Sequence, residues 1–276
     1  MNVVWGALVT LAVSAAAIGA MLLVRRRAPE GGYFADGDRA AGVFGVLASG
    51  FGILLGLIVF LAFTSYDESR TGAETEALLV AQQFKTAQFM PAAVRAPLGN
   101  EMICYARSIV HDEWPDMAAG RAVPPINPWA VELYRTLREA RPTSATEQSA
   151  YDKWLDQTAD REQARNDRLH AADGIIPGTL WAVLFFIAAV ILVFMFFLAD
   201  SGERAVVQAL LIGSVIGVIV ATLLLIRSLD DPYASGYGAL RPVAMERTLD
   251  VLGREQAIFG DAAALPCDAG GAPVGA

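Results

Sequence analysis

The sequence predicts an all-α membrane protein with four transmembrane helices and a helical-bundle insertion between the second and the third. Hydrophobic residues make up 55% of the 276-residue chain and charged residues 18%, which is more apolar than a soluble domain. The apolar residues are also gathered, in residues 3–24, 43–64, 175–199 and 205–226, and none of these blocks contains Lys, Arg, Asp or Glu. Each is about 20 residues or longer, which at 1.5 Å rise per residue crosses a hydrocarbon core of about 30 Å. Lipid offers backbone amides no water, so each block is read as a helix. The organisation that follows is residues 1–64 as helices 1 and 2 with a short Arg-rich loop, 65–173 as an extramembrane insertion, 174–227 as helices 3 and 4, and 228–276 as a tail with one helix and a Gly/Ala/Pro-rich end.

No Lys or Arg precedes the first block, whereas Arg25, Arg26 and Arg27 follow it; that is the charge pattern of a retained anchor, not of a cleaved leader. The short connectors 25–39 and 200–204 carry Arg25, Arg26, Arg27, Arg39 and Arg204. Short basic loops stay on the cytoplasmic side. The expectation is therefore a multi-pass protein of the inner (plasma) membrane, with insertion and tail outside the cytoplasm.

The second helix is the organising element, because residues 41–90 pass from apolar to charged without a break signal before Pro91. Gly45, Ser49, Gly52 and Gly56 recur at spacings of four and three, which puts small residues on one face. Gly52 and Gly56 form a GxxxG pair, as do Gly213 and Gly217 in the fourth block, and such pairs admit close helix packing, within or between subunits. A sharper reading has this uncharged helix line a pore in a homo-oligomer, with Gly50, Phe51, Leu55 and Phe60 lining or narrowing it.

Pro91, Pro97, the stretch 120–128 and Pro142 punctuate an insertion with no period-two pattern. Helices are expected over residues 98–111 and 129–140, and from a capping box at Ser144 and Glu147 up to Gly174. The last would be an extension of the third transmembrane helix, and residues 240–259 form the helix of the tail. His111, Asp112, Glu113 and Asp116 are clustered, but consecutive residues point around a helix and do not converge on one ion. No metal site, cofactor or enzyme follows from the sequence: it holds two histidines and no Cys pair at ligand spacing, and it lacks GxSxG, Walker and HExxH motifs. A net charge of -8 without a basic cluster excludes nucleic acid as a partner.

Glu76 and Leu79, Tyr105, then Glu113, Trp114, Pro115, Met117 and Gly120, and finally Leu229, Asp231 and Pro232 resemble, in order and topology, the bestrophin-like family of bacterial membrane proteins. The likeness covers residues 43–252. It implies paired helices, a long helical insertion and a second pair. A more distant similarity to bestrophins, which are oligomeric anion channels, implies a passive, homo-oligomeric path for a small ion. The chain departs from bestrophins in the side of the membrane its arginines assign to the insertion, and Asp230 and Asp231 are a short substitute for their acidic calcium clasp. The competing expectation is a membrane-anchored module whose bundle binds or senses a protein partner.

Cys104 and Cys267 fall on the same side under this topology. Two arrangements fit: a disulfide in an oxidising compartment that staples the tail to the bundle, or two thiols, one buried and one in the tail.

Overall fold

The computed structural model describes residues 3–29, 33–34, 36–172, 174–236, 238–259 and 264–274. Parts of the expected first loop (30–32 and 35), the insertion boundary at 173, and residues 237, 260–263, 275 and 276 of the expected tail lie outside the described residues. The fold is all-helical: α1 (Val3–Arg25), α2 (Gly37–Ala87), α3 (Ala92–Ser108), α4 (Trp114–Ala118), α5 (Pro128–Glu139), α6 (Ala145–Leu169), α7 (Gly178–Phe197), α8 (Ala205–Asp230) and α9 (Val243–Phe259). Among the described residues α1, α2, α7 and α8 are long and apolar enough to span a membrane. The chain forms two compact units. The first comprises residues 1–65, 174–231 and 235–238, and the second residues 66–173, 232–234 and 239–276.

In the first unit, Met21, Phe51, Leu55, Ile58, Leu184, Ile191, Ile212 and Ile226 form one buried core. The outer faces carry exposed Leu11, Val46, Ile53, Phe186, Leu210 and Val218, as helices solvated by lipid tails require. Gly213 and Gly217 of α8 lie against α1: a Cβ on the first would sit 2.9 Å from Ile18 Cδ1, and on the second 3.4 Å from Ser14 Oγ. At the start of α7, Asp230 Oδ1 accepts from the amides of Ile175 and Ile176, each at 2.9 Å, and its Oδ2 from Trp181 Nε1 at 3.3 Å. The carboxylate thus satisfies two amides of the turn that precedes α7 and holds that turn against the end of α8. Arg25 donates to the carbonyls of Asp200, Ser201 and Glu203, so one cation ties the two short loops together.

The second unit packs around Phe84, Met90, Leu98, Met102, Ile109, Trp129, Leu133 and Trp154. Asn127 caps α5 by accepting from the Trp129 amide at 2.9 Å, and Ser144 with Glu147 forms a reciprocal capping box on α6. α2 crosses α6 closely at Gly72. A Cβ there would meet the Arg168 backbone nitrogen at 2.5 Å and the Ala164 carbonyl at 2.8 Å.

Several boundaries differ from the sequence reading. Pro97 lies inside α3 and does not mark a turn; so near the N-terminus it forfeits only the bond toward the Ala93 carbonyl. The helix after Ser144 is not continuous with the third spanning helix. It ends at Leu169, and Gly174 follows at φ +73°, a conformation in which glycine replaces a strained side chain. The helix of the tail begins at Val243, after Pro242, not at 240. Nor does the end of the tail depend on one fastening. Cys267 is disulfide-bonded to Cys104 with Cα atoms 5.7 Å apart, but Cys267 also bridges Pro273. Trp129 Nε1 donates to the Gly271 carbonyl at 2.7 Å, and Arg107 Nη1 to the Asp268 carbonyl at 2.9 Å. Gly271, at φ +91°, has no room for a Cβ, which would stand 2.4 Å from the Ser108 nitrogen.

The Gly72 crossing gives a direct test. Gly72→Ala places a methyl against backbone that cannot swing aside, and overpacking of this kind costs about 1–3 kcal/mol. Thermal unfolding of the purified protein should show a clearly lowered midpoint for Gly72→Ala. Gly253→Ala on α9, where nothing lies within 4 Å of the added atom, should not lower it.

Candidate functional site

Glu76, Tyr105, Glu113 and Trp114 come from α2 and from the α3–α4 stretch, and the second unit brings them around one side chain, Arg168. Arg168 and Glu76 are both 0% exposed. The Arg168 guanidinium donates through Nε and Nη2 to the two oxygens of Glu76, and through Nη2 to Glu113 Oε2 at 2.6 Å. Glu113 Oε1 accepts from Arg165 Nη2 at 2.8 Å and from Asn127 Nδ2 at 2.9 Å. Tyr105 donates its hydroxyl to Glu76 Oε1 at 2.6 Å. The Trp114 ring lies 5.7 Å from the Arg168 guanidinium carbon, and that ring packs edge-on against Tyr233, whose hydroxyl donates to the Arg168 carbonyl.

Local folding delivers these groups. Tyr105, Ile109, Glu113 and Met117 are all buried, although in an ideal α-helix twelve residues turn a face by about 120°. Residues Ile109–Glu113 form a π-helical turn between α3 and α4, and its wider turn keeps successive fourth residues facing inward. The same turn separates the acidic cluster read in the sequence: Glu113 is buried, while His111 and Asp112 face solvent. On α6, Trp154, Arg161, Arg165 and Arg168 share the buried face. Arg161 sits 4.7 Å above the Tyr105 ring.

The electrostatics follow from the pairing. Burial by itself would raise the pKa of Glu113, but Arg168 and then Arg165 outweigh it and hold the carboxyl below its ordinary range. Burial works against the Arg168 charge, and Glu76 and Glu113 overcome it, so its pKa is raised. Burial, reinforced by Glu76, pushes Tyr105 well above the usual phenol value, and burial raises Tyr233 to about 12. Each phenol therefore remains a donor. The arrangement locks elements together. Among the described residues no group of three or more His, Cys, Asp or Glu could hold a metal.

The remaining sequence-derived positions lie elsewhere. Pro115 opens α4. Pro232 accepts from the Leu240 amide at 2.8 Å, and Asp231 Oδ2 from Arg227 at 3.1 Å. On α2, Phe51 and Leu55 are buried in the first unit, on a face about a third of a turn from the small residues. Gly45, Ser49, Gly50, Gly52, Gly56 and Phe60 are exposed, with nothing within 4 Å of a Cβ added to any of these four glycines. Phe51 and Leu55 thus pack into the core of the first unit. Sequence reasoning named no partner for Glu76 and passed over Arg161, Arg165 and Arg168. The signal was their i, i+4, i+7 spacing in phase with Trp154.

Spanning helices combined with an ion-locked helical bundle define a bestrophin-type membrane protein. A model of the Bestrophin-like domain matches residues 5–243, and the chain belongs to that family. The crystal structure of a bacterial bestrophin homologue from Klebsiella pneumoniae superposes with TM-score 0.64 at 15% identity, over 91% of this chain and 99% of that one. A variant of that homologue gives TM-score 0.63 at 15% identity over 91% and 99%. A further membrane-protein structure gives TM-score 0.63 at 13% identity over 96% and 99%. At this identity the likeness is one of fold. No curated protein sequence matches the chain.

Removing one partner from a buried ion pair strands the other, at a cost of about 3–5 kcal/mol. Glu76→Gln should therefore lower the unfolding midpoint far more than Glu74→Gln, whose pair with Arg70 is exposed. The depressed pKa of Glu113 has a definite sign: its stabilisation is complete above the ordinary carboxylate range and is lost as pH falls through its lower folded value. Acid unfolding of Glu113→Gln should be correspondingly shallower than that of the native protein.

Proposed function

We propose that the protein is a passive ion channel built from several copies of this chain, with the outward face of α2 lining the path. The observation that carries this reading is the uncharged, unoccupied strip of α2: Gly45, Ser49, Gly52 and Gly56 alongside exposed Ile53, Leu57 and Phe60. Missing side chains allow backbones of neighbouring copies to approach, and the large apolar residues supply a constriction that gates by dewetting. The family relationship supports an anion as the permeant species. The wall has no charge to fix that choice, so selectivity falls to residues at its ends.

The reading includes an orientation. The arginines of the two short loops favour the cytoplasm for those loops, and a disulfide between Cys104 and Cys267 suits an oxidising compartment for the second unit. The second unit then stands outside the cytoplasm of a bacterial inner membrane. A second reading, an anchored interaction module, draws on exposed Leu78, Phe89 and Ile258 of the second unit; it predicts no conductance.

Reconstituted protein should pass anions in liposome flux assays, and Phe60→Ala should raise the flux by widening the constriction. Gly52→Leu combined with Gly56→Leu should reduce oligomer size in native mass measurements without altering the protomer's helix content. Absence of both anion and cation flux over a broad range of voltage transfers the assignment to the interaction module. Orientation is tested separately. Non-reducing peptide mapping of protein taken from intact membranes should recover Cys104 linked to Cys267, and a phosphatase fused after Gly120 should be active; free thiols with an inactive fusion reverse the orientation.

A further inference from the structure

Arg70, Arg241 and Arg247 come from separate stretches of the second unit, and all three line one cavity of about 380 Å³. Helical spacing explains why they meet. On α2, Tyr66, Arg70, Ala73 and Glu74 share a face, as Val243, Ala244 and Arg247 do on α9, and Arg241 stands just before that helix. Arg241 and Arg247 are exposed, and among the described residues neither has a hydrogen-bond or ion-pair partner. Arg70 donates to Glu74 through Nε at 3.1 Å, which leaves its two terminal nitrogens to donate elsewhere. Glu74 is the one carboxylate of the wall; Asp67, Glu68 and Glu246 lie outside it. Three guanidiniums with Glu74 counted against them leave the wall two positive charges, and guanidinium keeps its charge at any physiological pH.

The cavity also meets the start of α9. The Glu246 amide reaches the Pro242 carbonyl at 2.8 Å, so the amides of Val243 and Ala244 in the wall precede the first bond of that helix, and such a helix start adds to the attraction for an anion. We propose that this cavity binds a phosphate monoester, with the three guanidiniums on its terminal oxygens and the esterified group against Trp114 and Leu240, which complete the wall. A dianionic phosphate matches two positive charges. Its three terminal oxygens suit donors arriving from separate segments, whereas a carboxylate has only two and a halide has no shape to match. Two sources present this chemistry, a lipid headgroup and a soluble ester. Arg70 is the first cation in the sequence after the uncharged block 43–64, and cations that follow a span meet anionic headgroups. None of the lining residues belongs to the α2 strip of residues 45–60, so binding and conduction stand or fall independently.

Isothermal titration of the full-length protein in neutral detergent, with dioctanoyl phosphatidate in one arm and glycerol phosphate in the other, tests this directly. Saturable binding is expected in at least one arm, together with a raised unfolding midpoint. Binding of both probes places recognition in the phosphate itself; binding of phosphatidate alone makes a membrane lipid the source, and of glycerol phosphate alone a soluble ester. Arg241→Gln and Arg247→Gln should each weaken binding about tenfold, the order expected for losing a charge-assisted hydrogen bond, and together abolish it with the helix content unchanged. Glu74→Gln should strengthen binding by removing the one negative charge of the wall, a gain that a damaged fold does not give. Arg254→Gln, on α9 but outside the cavity, removes the same charge as the other arginine variants and should leave the affinity as it is. Absence of saturable binding in both arms, equal binding of dioctanoyl phosphatidylcholine, full affinity in the double variant, no gain in Glu74→Gln, or an equal loss in Arg254→Gln overturns the proposal.

Discussion

The second unit depends on satisfying one guanidinium. Arg168 cannot shed its charge, and it lies where no water reaches it, so every helix that contributes a counter-group is held in a particular rotation and height. Glu76 sets the register of α2 against α6, and Glu113 that of the π-turn. The Tyr233 hydroxyl on the Arg168 carbonyl brings in the segment after α8. Apolar packing alone would tolerate sliding of such helices by a fraction of a turn. A bidentate ion pair does not, since a shift of an ångström or two leaves a charge in a medium that penalises it heavily. The network is better understood as a device for specificity than as a net source of stability.

Glycine plays three distinct parts in this chain, and the GxxxG pattern does not distinguish them. Gly213 and Gly217 meet α1, where the nearest neighbours are side-chain ends able to move. Gly52 and Gly56 meet nothing in the protomer. Gly72 stands outside any such pair, yet what lies opposite it is helix backbone. What decides the role is the rigidity of the atoms opposite, which a pattern of small residues does not encode.

The spanning helices were legible because lipid imposes a rule that depends on composition alone: long, uncharged and helical. The capping box at Ser144 and Glu147 was legible for a similar reason, since both partners lie in one turn. The charged cluster was not. Arg161, Arg165 and Arg168 sit on a helix dense in Asp, Glu and Arg, and counting charges makes it look solvated on all sides; only the phase of the arginines with Trp154 marks them as interior. The break between α6 and α7 was hidden because Asp230, which holds the turn before α7 by its amides, comes from more than fifty residues away. The cysteines pointed to one fastening of the tail, and the others were hidden, since they rest on carbonyls, which every residue has.

The π-turn at Ile109–Glu113 has a consequence for how this chain can change. A helix that has taken in an extra residue keeps Tyr105, Glu113 and Met117 inward only while the wider turn persists. Winding residues 105–117 as a regular α-helix at unchanged length would turn the face by about 120° over those twelve steps, carrying Met117 and, in part, Glu113 out of the interior. Losing one residue together with the wide turn would instead bring the face back to within about 20°. The segment therefore admits a change of length and a change of winding together, and neither alone.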